Sequence, residues 1–151
     1  LRMFNDVFAQ RDTRFWTLGP QVEFAVSPRV TLTVAYLYER GTADGREEIQ
    51  FRDDVSYRQH FVSIGTTIGL GHGWFLDLGY AYRRKEFTSE IVGDSNRGVI
   101  DSTHVGTADL RCQLSAAAAV ILEFQRAQRT STSATRDFFN TNTSLGIQYR
   151  F

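Results

Sequence analysis

Hydrophobic and polar positions alternate with a period of two over most of this chain. In residues 29–40, RVTLTVAYLYER, one side holds Val30, Leu32, Val34, Tyr36 and Tyr38, and the other holds Arg29, Thr31, Thr33, Ala35, Leu37 and Glu39. Successive side chains of a strand point to opposite faces, so this split predicts a strand with one apolar and one polar face. The same split sets Trp74, Leu76, Leu78, Tyr80 and Tyr82 against Asp77, Gly79, Ala81, Arg83 and Lys85, and Leu145, Ile147, Tyr149 and Phe151 against Ser144, Gly146, Gln148 and Arg150. Strands are expected at about 13–26, 29–41, 56–70, 74–88, 102–114, 117–130 and 136–151, with a weaker eighth at 1–9.

The connections between these strands fall into two kinds. Ser27-Pro28, Gly71-His72-Gly73 and Ser115-Ala116 read as tight turns, whereas residues 42–55, 89–100 and 131–135 are longer and mostly polar. Short and long alternate along the chain, so an up-and-down meander collects every tight turn at one end and every longer loop at the other. That asymmetry is the one expected of outer-membrane barrels, with periplasmic turns and extracellular loops. The strands also run to a dozen residues or more, whereas soluble strands average about 5–6 and a tilted membrane-crossing strand needs about 9–11.

Aromatic placement fits the same expectation. On the apolar side Trp16, Tyr36, Tyr38, Tyr80, Tyr82 and Phe139 fall towards the long loops, and Phe24, Trp74, Tyr149 and Phe151 towards the tight turns. These are two belts of the kind that amphipathic rings form at membrane–water boundaries. The other side carries charges of both signs in mixed order, among them Glu23, Glu39, Asp77, Arg83, Lys85, Asp109, Arg111, Glu123, Arg129 and Arg150. In a wide barrel they would line a water-filled lumen; in a closed eight-stranded barrel they would pair and plug it. The inward glycines and alanines suit a wide wall.

The last eight residues, SLGIQYRF, place Leu145, Ile147, Tyr149 and Phe151 on one row. A final strand of alternating apolar residues ending in aromatic-x-Phe resembles the C-terminal assembly signal of bacterial outer-membrane β-barrel proteins. The resemblance implies an outer-membrane location, lipid around the apolar face, and recognition of these four residues by the barrel assembly machinery. Residues 51–70, FRDDVSYRQHFVSIGTTIGL, also look like strands of the porin-like barrels at the C-terminal end of larger outer-membrane proteins, a likeness that assigns no functional residue.

Composition narrows the remaining choices. Lys plus Arg equals Asp plus Glu at 17 each, so no net field recruits nucleic acid. No apolar run is long enough for a membrane helix, since 116–122 is far too short. Cys112 has no cysteine to pair with. Asp101, Ser102 and His104 in IDSTHVG are the best constellation for hydrolysis, yet i, i+2 neighbours on a strand stand about 6.5–7 Å apart, too far for a nucleophile and its base. His60 and His72 lack a second ligand at metal-site spacing. GTTIGLGHG at 65–73 has no following helix to bind phosphate, and the Asn142-Thr143-Ser144 sequon lies within a strand.

These readings converge on an all-β, antiparallel up-and-down transmembrane barrel in the bacterial outer membrane, with eight strands in this chain. No cofactor, metal or catalytic residue is expected. The leading function is a porin-like passive transport or pore-wall role. A small closed barrel acting structurally, or binding a surface partner through loops such as 42–55, is the alternative, and a lipid hydrolase is third. Because alternation begins at Leu1, and Asn5 interrupts its apolar row, the chain is expected to be the C-terminal part of a larger barrel, its first strand meeting further strands or subunits.

Overall fold

The computed structural model describes residues 13–43, 46–48 and 51–149. The strand expected at 1–9 and residues Arg150 and Phe151 lie outside the described residues. The protein is all-β: β1 (Thr13–Leu18), β2 (Gln21–Ser27), β3 (Val30–Ala43), β4 (Arg46–Glu48), β5 (Phe51–Asp53), β6 (Tyr57–Gly71), β7 (Trp74–Phe87), β8 (Ile100–Gln113), β9 (Ala118–Ser131) and β10 (Phe138–Tyr149). β4 and β5 form a small hairpin of their own, and the others make one eight-stranded antiparallel sheet. Its order follows the chain, with β3, β6, β7, β8, β9 and β10 each beside the next and β1 and β2 both on the free side of β3. Among the described residues no ladder joins β1 or β2 to β10, so the sheet is open there.

The single strand expected at 13–26 is divided at Gly19-Pro20. Leu18 pairs with Tyr38 and Gln21 with Ala35, so β1 and β2 keep one register across the break. The break has a steric cause. Pro20 offers no N–H to the ladder, although its carbonyl still accepts the Tyr36 amide at 3.0 Å. A Cβ at Gly19 would run into the Tyr36 carbonyl oxygen, so glycine lets the two backbones close up.

The tight turns lie at one end of the meander and the longer connections at the other, as the alternation requires. At the β6–β7 turn Gly71, His72 and Gly73 all have positive φ (89°, 52° and 81°). Two left-handed glycines flank a residue type that tolerates this conformation better than a bulky or β-branched one would. Gly73 is doubly constrained, because a Cβ there would meet the Gln113 carbonyl oxygen at 2.7 Å.

Strand pairing fixes the two faces. Paired residues share a face, so the apolar row of β3 (Leu32, Val34, Tyr36) continues through Thr66, Ile64 and Val62 on β6 to Leu78, Tyr80 and Tyr82 on β7. It goes on through Ala108, Gly106 and His104 on β8. Among the described residues nothing covers this face. Ile64 is 48% exposed, Tyr80 47%, Leu122 45% and Ile147 81%, and among the described residues only Ala35, Val99 and Ala119 are buried apolar side chains. Along β6 the polar-side residues from Tyr57 to Ser63 are consistently more shielded than the apolar-side residues between them, the pattern of a sheet curling towards its polar side.

The long-loop end is knit together. The Asp94 carboxylate accepts the Asp54 amide at 2.8 Å and the Asn96 amide at 2.8 Å. Asn96 donates to the Asp54 carbonyl at 3.0 Å and accepts from the Arg136 guanidinium. Asp94 and Asn96 are buried. One polar cluster therefore ties together the connections before β6, before β8 and before β10, the last containing a 3-10 turn, Ala134–Arg136.

Candidate functional site

The polar face is where the chemistry collects, and register arranges it in rows. The lowest acidic row runs Asp77, Asp109, Glu123 across β7, β8 and β9, each directly opposite the next. Like charges set opposite each other repel. The outer two accept from hydroxyls: Asp77 from Thr67 and Glu123 from Ser144, both at 2.5 Å. Just below, Arg111 lies over the Phe75 ring at 4.9 Å, with its Nε buried and without a hydrogen-bond partner.

One and two rows above the acids, small side chains open the wall. Ser63, Gly65, Gly79, Ala81 and Thr107 border a cavity of about 260 Å³. Glu23 on β2 stands level with the glycines, opposite Thr33.

The next rows are basic. Arg83, Thr103 and Arg129 lie in register across β7, β8 and β9, and Lys85 faces Asp101 one row higher. Arg83 stands six residues from Asp77, about 20 Å along the strand. The charges read from sequence as mixed therefore fall into bands on β7 to β9, an acidic row towards the tight turns and more cations than acids towards the long loops, although Arg111 lies below the acidic row and Glu39 and Asp101 lie level with Lys85. Together with Gln59, Phe87 and Arg136 the basic rows line a cavity of about 370 Å³.

How these cations are held decides what they can do. Lys85 Nζ sits 3.8 Å from the Tyr57 ring centre and 4.8 Å from that of Phe87. Arg136 lies 4.8 Å over Phe87, and Arg129 4.8 Å over Phe138 while its Nε donates to the Arg136 carbonyl at 2.7 Å. Ring quadrupoles and carbonyls fix a cation without cancelling its charge, which a carboxylate would do. Among the described residues the ion pair seen is Arg58–Glu86 at 2.8 Å, on the apolar-side rim. Glu39, two strands from Lys85, accepts instead from the Tyr57 hydroxyl at 2.6 Å and the Thr17 hydroxyl at 3.0 Å. Polar-face aromatics such as Tyr57, Phe87 and Phe138 carry this arrangement, and an inspection of the apolar rows alone overlooks them.

The aromatic rows hold a second feature missed in sequence. On the apolar face Tyr36 bonds His60 Nδ1 at 2.8 Å, and Tyr80 bonds His104 Nδ1 at 2.7 Å. Tyr38 lies against the first imidazole (5.1 Å between ring centres) and Tyr82 against the second (4.9 Å). Tyr36, Tyr38 and His60 recur 44 residues later as Tyr80, Tyr82 and His104, with Arg40 recurring as Arg84. Comparing the chain with itself at that offset would have found this two-strand repeat. Trp16 packs on Tyr38 at 5.3 Å, whereas Trp74 stands beside Cys112 at the tight-turn end.

The possible hydrolytic set is not assembled. Asp101 lies on the polar face, and Ser102 and His104 on the apolar one, bonded to Tyr82 (3.4 Å) and Tyr80 respectively. Leu145, Ile147 and Tyr149 form the apolar row of β10, opposite Leu122, Val120 and Ala118, while Phe151 lies beyond the described residues. Among the described residues no group of His, Cys, Asp and Glu is placed to hold a metal, and no helix is long and apolar enough to cross a membrane. No protein-family model, curated protein or solved structure matches the chain.

Proposed function

We propose that this sheet is part of the wall of an outer-membrane β-barrel whose polar face borders a water-filled path for passive movement of small solutes. One observation carries the reading: the broad apolar face is uncovered among the described residues, and along β3 and β6 the polar side is the more shielded one, the reverse of a water-soluble sheet packed on a core. A bilayer satisfies such a face, because the bonds between paired strands are internal to the sheet and the apolar rows meet lipid, while the open edge calls for further strands. The Tyr/His row lies at one end of the aliphatic rows and Trp74 at the other, where boundary rings belong. The polar-face charges favour a path over a plug, since they bond to hydroxyls, rings and carbonyls rather than to one another.

In this reading Leu145, Ile147, Tyr149 and Phe151 present the assembly signal, and further strands or subunits meet the open edge. The test is conductance: protein refolded into planar bilayers should give discrete, voltage-independent steps. Efficient insertion without conductance would reject the path and leave only a wall. A second reading, surface recognition by the loops, draws on the buried Asp54–Asp94–Asn96–Arg136 cluster, which gives the long-loop end a fixed shape. Loop replacement that abolished binding to a surface partner while sparing conductance would support it.

A further inference from the structure

The cavity between the basic rows has features that a generic pore wall does not need. Arg83, Lys85, Arg129 and Arg136 converge on one space of about 370 Å³ from β7, β9 and the connection before β10. Among the described residues none of the four makes an ion pair. Three rest on aromatic rings, and Arg136 is further fixed through Asn96 to the loop cluster. Lys85, Arg129 and Arg136 are thus positioned before any ligand arrives, uncancelled by a carboxylate, the state that minimises the ordering cost of capturing an anion.

Asp101 lines the same cavity, and this carboxylate is the second observation. It is only 6% exposed, and its Oδ1 has no hydrogen-bond partner. A buried acceptor left unbonded is costly. A ligand hydroxyl can supply the missing donor while leaving the cations to the ligand's own anionic group. Thr103 beside it is also buried and polar.

We propose that this cavity is a binding site for a small polyhydroxy anion, with Arg83, Lys85, Arg129 and Arg136 taking its carboxylate or phosphate and Asp101 Oδ1 accepting from a hydroxyl. The proposal deepens the pore-wall reading and rests on it for a wetted polar face. Such a site would concentrate sugar acids or sugar phosphates at the long-loop mouth. The acidic row about 20 Å further along the strand gives the deeper wall the opposite charge, so the site captures solute at the mouth.

The test is equilibrium binding to the refolded protein in detergent, with gluconate, acetate and glucose as probes. Gluconate should saturate, acetate should bind more weakly and glucose not at all. Replacing Arg83→Gln with Arg129→Gln should weaken gluconate about tenfold or more, as loss of charge-assisted bonds does. If that variant fails to refold, Lys85→Gln alone should weaken gluconate severalfold. Asp101→Ala should act in the opposite sense, tightening acetate while erasing the preference for gluconate over acetate, an outcome that simple unfolding cannot produce. Equal binding of gluconate and glucose, or gluconate binding insensitive to the cation changes, would overturn the site. A gluconate preference that survives Asp101→Ala would overturn the role of that carboxylate. Conductance without saturable gluconate binding removes the site and leaves the pore wall standing, whereas binding without conductance does the reverse.

Discussion

Ile64→Arg should be among the most damaging single changes on the apolar face, although the side chain touches no tightly packed core. Ile64 sits midway along β6, opposite Val34 and Tyr80 and 48% exposed. Arg58 lies six residues towards the long loops and Leu70 six towards the tight turn. Six residues of strand span about 20 Å, or about 15 Å of depth at a barrel tilt of about 40°. That puts Ile64 near the centre of an apolar band about 25 Å tall, where an arginine facing lipid costs about 2–4 kcal/mol. The same change at Leu70, at the tight-turn boundary and 52% exposed, should cost about 0–1 kcal/mol. Ser63→Arg, one residue away on the polar face, should stay within about 0.5 kcal/mol. Reversible urea unfolding in phospholipid vesicles, followed by Trp16 and Trp74 fluorescence, measures all three. Were the apolar face in water, Ile64→Arg would also fall within about 0.5 kcal/mol. Equal, small effects at Ile64 and Ser63 would therefore refute the lipid assignment.

Three other expectations follow from single features. With Cys112 replaced by serine, cysteines at Leu32, Val34, Leu76 and Leu78 should resist water-soluble thiol reagents in vesicles, while those at Thr31, Thr33, Asp77 and Gly79 should react; equal labelling of both rows contradicts the two-faced wall. Gly73→Ala must strain a left-handed residue against the Gln113 carbonyl, so it should cost about 1–3 kcal/mol in the same urea assay, whereas Gly146→Ala, with open space at its Cβ, should be nearly silent. Asp94→Ala leaves the Asp54 and Asn96 amides without their acceptor, a loss of about 1–3 kcal/mol; hydrogen exchange should then quicken in residues 88–99 while β7 and β8 stay protected, and uniform exchange across the sheet would argue against a separate loop cluster.

What the sequence made legible was set by local periodicity. The strand expected at 74–88 is Trp74–Phe87, and the one at 117–130 is Ala118–Ser131, because alternation and turn residues define each strand without its neighbours. The rows across the sheet were not legible. Whether Arg83 lies level with Arg129 or with Glu123 depends on the β7–β8 and β8–β9 connections, which set the register of each pair. A charge pattern that reads as mixed along the chain therefore shows its acidic row and its mainly basic region only once the strands pair. Arg136 was invisible for another reason: it belongs to a loop, and what aims it is an asparagine 40 residues away.

The repeated Tyr–His pairs carry a consequence for how the sheet reaches its register. A slip of one residue between β3 and β6 would turn His60 to the opposite face, and a slip of two would carry it about 7 Å along β3. Either slip separates the imidazole from the Tyr36 hydroxyl it bonds at 2.8 Å. The Tyr80–His104 pair imposes the same condition on β7 and β8. Each pair thus acts as a proofreading mark for its own pair of strands, rewarding one alignment and leaving mispaired ones with an unbonded side chain. Alternating apolar residues alone cannot do this, since a two-residue slip returns them to the same face.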